Sequence, residues 1–244
     1  TREYEKLIRA HRMRNIIATS CPSLNLLVEK YYPELVDQLA PVASPLLAHA
    51  RMIRQIYGPR ARVVFIGPCI AKKYEVLDPE SGNAIFAVLT FPDLLDWLKE
   101  AGIHPDEADP EGRGMANPLP RYYPAPGGVI QNLGREFRRP YECVSIDGAD
   151  RCIEALDSIR DRGLSGYFLE MNICAGGCLG GPAMRMLGAS FLPSKEALLH
   201  EMRRPVPLPP ALTEGTAARF TRKFHGMPVP EPPVDEQKNR EVLA

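Results

Sequence analysis

The densest chemical signal in this sequence is the run Glu170-Met171-Asn172-Ile173-Cys174-Ala175-Gly176-Gly177-Cys178-Leu179-Gly180-Gly181-Pro182. Its two cysteines stand four apart around a glycine pair. Glycine lets backbone approach closely and take positive φ, so N–H groups can point at thiolate or sulfide and tune a bound centre. Soft thiolates select iron–sulfur clusters, zinc or copper(I), and this spacing is not the C-x2-C of most zinc sites. Cys69 lies in Gly67-Pro68-Cys69-Ile70-Ala71-Lys72-Lys73-Tyr74-Glu75, and Cys21 in Thr19-Ser20-Cys21-Pro22. A cation lowers a neighbouring thiol's pKa and favours the ligating thiolate, and lysine offers donors to a bound anion. Cys21, Cys69, Cys174 and Cys178 together make four thiols, the usual complement of a 4Fe–4S cluster. Taken singly, each motif is as readily a buried small side chain; the three in order favour a metallocentre.

The remaining chemistry-bearing residues read as structure. Cys143 falls in an apolar strand, and Cys152 shares a helix face with Ile153 and Leu156. His11, His49, His104, His200 and His225 have no ligand spacing to one another. The 244 residues carry 30 basic and 30 acidic side chains, so no global field points to nucleic acid or a membrane surface. The basic run Arg2, Lys6, Arg9, Arg12, Arg14 suits a solvated helix face. No apolar run reaches the length of a membrane span, and six irregularly spaced cysteines do not form a small disulfide framework.

The elements that must position these thiols alternate strand and helix. Residues 3–14 have an amphipathic helical pattern, Ile16–Thr19 is a short apolar strand, and Leu24–Tyr32 suits a helix. Pro45–Tyr57 reads as a helix with Ser44 as N-cap and Gly58 at its end. Val63–Ile66 is a continuous apolar run, the pattern of a parallel strand buried on both faces. Ala84–Leu89 is a further strand, and Pro92–Ala101 a helix with Thr90 or Phe91 near its N-cap. Residues 103–127, with six prolines, form a long connection. Beyond it the pattern predicts strand Tyr141–Ile146, helix Ala149–Arg162 capped by Gly163, strand Tyr167–Met171 and helix Ser194–Arg203. The strands at 16–19, 63–66 and 167–171 each run into a cysteine motif, and ligands of open α/β folds collect at the carboxyl ends of strands. The expected fold is therefore α/β, in two lobes with mostly parallel sheets flanked by helices and a metal cluster between the lobes.

In order and content the three motifs resemble those of the FeFe (iron-only) hydrogenases: T-S-C-C-P-x-W, M-P-C-x-x-K-x-x-E and E-x-M-x-C-x-x-G-C-x-G-G-G-Q-P. They stand here at Thr19–Leu24, Gly67–Glu75 and Glu170–Pro182, with Ser44-Pro45 similar to an S-P pair between the first two. The resemblance spans about residues 15–190. It implies an H-cluster domain over 1–204, with lobes about 1–102 and 128–204, and a Pro-rich tail or linker over 205–244. In that family the four cysteines hold a 4Fe–4S cluster, and one of them, Cys178 by position, bridges to a two-iron subsite carrying CO, cyanide and a dithiolate. The resemblance makes Lys72 a donor to a cyanide, and places Ser44, Pro68 and Asn172 around the same cofactor. The cofactor carries the splitting or forming of H2, and the protein supplies orientation and donors.

Departures from the family pattern fall around the two-iron subsite. Ser20 replaces the first of two adjacent cysteines, a proton relay; a hydroxyl is a poorer acid/base than a thiol near neutrality. Leu24 replaces the tryptophan, Gly67 and Asn172 replace methionines, Leu46 replaces a glutamine, the last motif shortens to Gly180-Gly181-Pro182, and Ala40 falls near an expected serine. This pattern is similar to the sensory-type FeFe hydrogenases. It implies as partners H2 and protons, a ferredoxin or flanking ferredoxin-type domain, maturation proteins delivering the two-iron subsite, and a downstream PAS or signalling domain, in the cytoplasm. The Thr1 start and Pro-rich ending suit an excised middle segment. Other readings stay open: a working hydrogenase using Ser20 or water as relay, a cluster scaffold or electron-transfer module without the two-iron subsite, and a structural zinc domain.

Overall fold

Ile16 and Ile17 are adjacent in sequence, and both are completely buried, in different cores. Phe168 and Leu169, likewise buried, also divide between the two cores. Side chains alternate across a strand, so a strand apolar at consecutive positions must be covered on both faces. The computed structural model, which describes residues 1–104, 119–203 and 220–229, supplies that cover. Strands β1 (Ile16–Ile17), β4 (Glu142–Asp147) and β5 (Tyr167–Asn172) form a parallel sheet in the order β1-β5-β4. Ile16 pairs with Phe168, and Cys143 with Phe168 from the other side. On one face lie α1 (Arg2–Ala10), whose Tyr4 meets Phe168 edge-on at 5.6 Å, and α6 (Gly128–Asn132). On the other lie α2 (Pro22–Tyr31) and α7 (Ala149–Arg162), packing Leu24, Val28, Cys152 and Leu156 around Leu169 and Met171.

A second sheet joins β2 (Val64–Gly67) and β3 (Ala87–Thr90), again in parallel. Its covered face packs Val63 and Phe65 with Leu46, Leu47 and Ala50 of α3 (Pro45–Tyr57). The run at 63–66 is therefore not buried on both faces: Val64 and Ile66 are 46% and 45% exposed. Helix α5 (Phe91–Glu100) follows β3 and contacts both strands, yet buries none of its own residues. A capping box starts it, with Thr90 Oγ1 accepting from Asp93 N and Asp93 Oδ2 from Thr90 N.

Three features differ from the sequence expectation. First, β1 comes before the Pro-rich connection and pairs with β5 beyond it, so the sheets do not separate at 102/128; residues 105–118 of that connection lie outside the described residues. Secondly, short helices α4 (Lys72–Glu75), α6 and α8 (Pro182–Met186) join the predicted elements, and the last helix, α9, begins at Phe191. Thirdly, residues 220–229 are no free linker. Ala43 N donates to Phe220 O at 2.7 Å, Arg222 N to Pro41 O at 3.3 Å and Met227 N to Glu29 O at 2.6 Å, strapping this segment across the fold. The rest of the expected tail, 205–219 and 230–244, lies outside the described residues.

Candidate metal centre

Each cysteine motif begins where a strand runs out. After β1, Thr19 fixes the chain: its Oγ1 donates to Val42 O at 2.8 Å, its N–H donates to Tyr4 Oη at 3.0 Å, and its carbonyl accepts from Asn25 Nδ2 at 3.2 Å. Ser20 follows half-buried, and Cys21 takes extended backbone as the N-cap of α2, with Pro22 as its first residue. Backbone N–H groups of Ile173 and Leu24 donate to the Cys21 sulfur, while burial pushes its thiol pKa up. Cys69 follows β2 and Pro68, just before α4.

The segment after β5 is shaped by contacts that tolerate no side chain. A Cβ on Gly180 would sit 1.9 Å from Ala175 O, and one on Gly177 2.7 Å from Pro124 O. Gly176 and Gly177 have φ of 81° and 64°, the left-handed region that glycine enters at little cost. Asp147, at the end of β4, accepts from Gly176 N at 2.6 Å, and Cys178 N donates to Pro124 O at 2.8 Å. The loop bearing Cys174 and Cys178 is thus clamped from β4 and from residues 122–126. Pro68 closes the other side: a Cβ on Gly181 would lie 3.6 Å from Cys174 Sγ and 3.8 Å from Pro68 O.

These clamps bring all four thiols together from both sheets. The Cys178 thiol donates to the Cys69 sulfur, which holds Cys69 as the acidic partner, down to about 6; the Lys72 ammonium and the Lys72 and Ala71 N–H groups act in the same direction. Cys178 is correspondingly pushed up, first by that hydrogen bond and then by burial. Burial, then the charges of Cys21 and Cys69, raises Cys174. All four are free thiols. Among the described residues, no group of three or more His, Cys, Asp or Glu converges on a single metal ion. The four thiols lie near enough to act on one another's charge, and backbone N–H groups donate to two of them. That donor chemistry fits an iron–sulfur cluster.

Of the two lysines beside Cys69, only Lys72 serves this region; Lys73 turns away to Asp93 at 2.6 Å. Lys72 is 7% exposed. Its ammonium donates to Glu75 Oε2 at 2.6 Å and to the Ser20 carbonyl at 3.3 Å. An ammonium has three donors, so one N–H remains for a further acceptor. Asn172, at the end of β5, also carries an unmet donor: its Nδ2 is buried without a partner, a costly state unless something accepts from it. Ser44 is engaged as the N-cap of α3, its Oγ accepting from Leu47 N at 3.4 Å.

Sequence reasoning assigned no role to three contributors. Asp147 was signalled by Asp-Gly at a strand end. Glu170, 1% exposed, accepts from Ile130 N at 3.0 Å and caps the short helix α6; burial raises its carboxyl pKa. Arg222 reaches Glu75 from 147 residues away and had no local signal.

Similarity to known proteins agrees with this geometry. The family model "Iron only hydrogenase large subunit, C-terminal domain" matches residues 1–142 and 138–182. The periplasmic Fe hydrogenase large subunit of Nitratidesulfovibrio vulgaris is 31% identical over 160 residues, covering 58% of this chain and 37% of that protein. Iron hydrogenase 1 of Clostridium pasteurianum is 24% identical over 213 residues, covering 68% and 37%. The chain therefore spans little more than a third of these relatives. Among solved structures, one of an FeFe-hydrogenase in a study of oxygen inactivation superposes with a TM-score of 0.66 at 15% identity, over 93% of this chain and 81% of that one. A variant of the FeFe-hydrogenase HydA1 from Chlamydomonas reinhardtii gives 0.61 at 16% identity, over 93% and 80%. With the family model spanning most of its length, the chain belongs to the family formed by the C-terminal domain of the iron-only hydrogenases' large subunit.

Proposed function

We propose that this domain holds an H-cluster, with Cys21, Cys69, Cys174 and Cys178 on a 4Fe–4S cluster and Cys178 bridging to a two-iron subsite, and that it serves as an H2 sensor or slow hydrogenase. When bound, that cofactor supplies the reversible conversion of H2 to two protons and two electrons. The observation that carries the reading is Lys72. A buried ammonium with one N–H to spare, held beside Ser20-Cys21 by Glu75, is a ready donor for an anionic ligand. A scaffold holding only a 4Fe–4S cluster has no use for it. Pro68 stands at the Gly181 loop and Asn172 offers its unmet Nδ2, which supports their place around the same group. Ser44, buried at the head of α3, belongs to the same reading.

The sensory reading rests on Ser20. At the relay position it holds a hydroxyl, which transfers protons poorly near neutrality, so the domain binds the cofactor without fast turnover. Electrons reach it from a ferredoxin or a flanking ferredoxin-type domain, maturation proteins deliver the two-iron subsite, and a PAS or other signalling domain reads its state. We place it in the cytoplasm. Among the described residues no helix is long and apolar enough to cross a membrane. Loading the purified protein with a synthetic two-iron complex and recording infrared spectra tests the whole reading. Bands of metal-bound CO and cyanide are expected. Their absence leaves the alternative, a cluster scaffold or electron-transfer module. Turnover at the rate of catalytic hydrogenases sinks the sensory role, and Ser20→Cys should raise activity.

A further inference from the structure

Lys72 does not hold its place alone. The Glu75 carboxylate between it and the rest of the protein is fully buried, with one oxygen on Lys72 at 2.6 Å and the other facing Arg222 Nη1 at 3.4 Å. Arg222 is itself 6% exposed, and its second Nη meets Asp78 at 2.5 Å. Two cations and two carboxylates thus alternate through the interior: Lys72, Glu75, Arg222, Asp78. Arg222 comes from the 220–229 strap, which has independent fastenings. Backbone bonds hold it at Ala43, Pro41 and Glu29, and Arg51 of α3 donates to Thr221 O at 3.0 Å. The strap does not need its guanidinium in the interior in order to dock.

We infer that Arg222 is a positioning residue for the cofactor pocket: by engaging the outer oxygen of Glu75 it fixes the carboxylate that aims Lys72 at the Ser20–Cys21 backbone. Without the guanidinium, Glu75 carries an uncompensated buried oxygen, and its attraction draws the ammonium away from the Ser20 carbonyl. Partners one step removed from a metal ligand set orientation and potential in this way. The metal ligands do not include Arg222, and its effect on Lys72 runs through Glu75. The cofactor side of this inference rests on the function proposed above; the Lys72 side does not.

The test uses the full chain in two states. In metal-free protein, the hydrogen-bonded ammonium of Lys72 is observed by 15N NMR. Arg222→Gln should displace or abolish that signal, and Arg222→Lys should restore part of it. Glu29→Ala, which removes the carboxylate that accepts from His225 N at 3.3 Å and so loosens the far end of the same strap, should leave it in place. In cluster-loaded protein, Arg222→Gln should move the 4Fe–4S midpoint potential to more negative values, since a buried positive charge is lost, and shift the cyanide bands if a two-iron subsite is present. Glu29→Ala should do neither. If Arg222→Gln fails to fold, Asp78→Asn releases the guanidinium's other anchor and should give a smaller displacement of the same sign. Thermal midpoints that fall equally in Arg222→Gln and Glu29→Ala, with the Lys72 signal and the potential unchanged, would overturn the inference and leave Arg222 as a fastening. Failure of the wild-type protein to take up a cluster would defeat the proposed function, while the NMR arm still decides the role of Arg222.

Discussion

The two sheets supply cysteines under different conditions. In the first, Ile16 and Phe168 turn to one core and Ile17 and Leu169 to the other, all at least 96% buried. In the second, α3 covers one face while Val64 and Ile66 stand nearly half exposed on the other. Cys21 and the Cys174–Cys178 loop hang from the first sheet, Cys69 from the second. On the better-packed sheet burial raises Cys21 and Cys174, while Cys178 is raised first by its hydrogen bond with Cys69, the thiol on the looser sheet that the same bond holds low. Packing fixes three of the thiols in space; the hydrogen bond from Cys178 and the Lys72 charge hold the fourth acidic. A cluster bonded to all four would join the two sheets by covalent ligation, so metal binding and cohesion of the second sheet should rise together.

Substituting a ligand tests this division most severely. Cys174→Ala or Cys21→Ala should abolish cluster uptake, measured as iron and acid-labile sulfide per chain; full occupancy in either would break the assignment. The packing contrast comes next. Phe168→Ala should cost about 3–5 kcal/mol in denaturant unfolding, and Ile66→Ala on the exposed face less than about 1 kcal/mol. Comparable losses would mean the second sheet is as well covered as the first. The thiol contrast is read by alkylation of metal-free protein. With its thiol pKa lowered by the hydrogen bond with Cys178 and by the Lys72 ammonium, Cys69 should react ahead of Cys21, Cys174 and Cys178, and its rate should fall as pH drops. Uniform labelling would remove the distinction. The smallest expected effect is Thr90→Ala, which opens the capping box of α5 and should cost about 1 kcal/mol in the thermal or denaturant midpoint.

Much of this was legible in the sequence where the signal is local. Helix α3 runs from Pro45 to Tyr57 with Ser44 as cap, and α7 from Ala149 to Arg162 with Gly163 in left-handed backbone. Both are long enough for periodicity and have chemical stops. Cys152 and Leu156 are fully buried as read, but Ile153, placed on the same face, is 38% exposed. The four cysteines stood out in the sequence because each is flanked by residues with a backbone or charge reason to be there. What escaped was of two kinds. Helices of four or five residues, such as α4, α6 and α8, are too short to show a period. Pairings at long separation leave no local mark: β1 with β5, or Glu75 with Arg222. Nor does an apolar run say how many of its faces are covered, which is why Val63–Ile66 promised a deeper strand than β2 became.

The strap also sets an order of events during synthesis. Glu75 and Arg222 are 147 residues apart, and a ribosome adds about 5–20 residues per second. The motif containing Cys69 therefore emerges roughly 7 to 30 s before the guanidinium that completes its surroundings. Through that interval Glu75 has Lys72 but not Arg222 to pair with, and the ground between α2, α3 and the second sheet lies open to solvent. A nascent chain can expose its thiols early, but the finished electrostatic setting around them arrives only with one of the last described segments to be made.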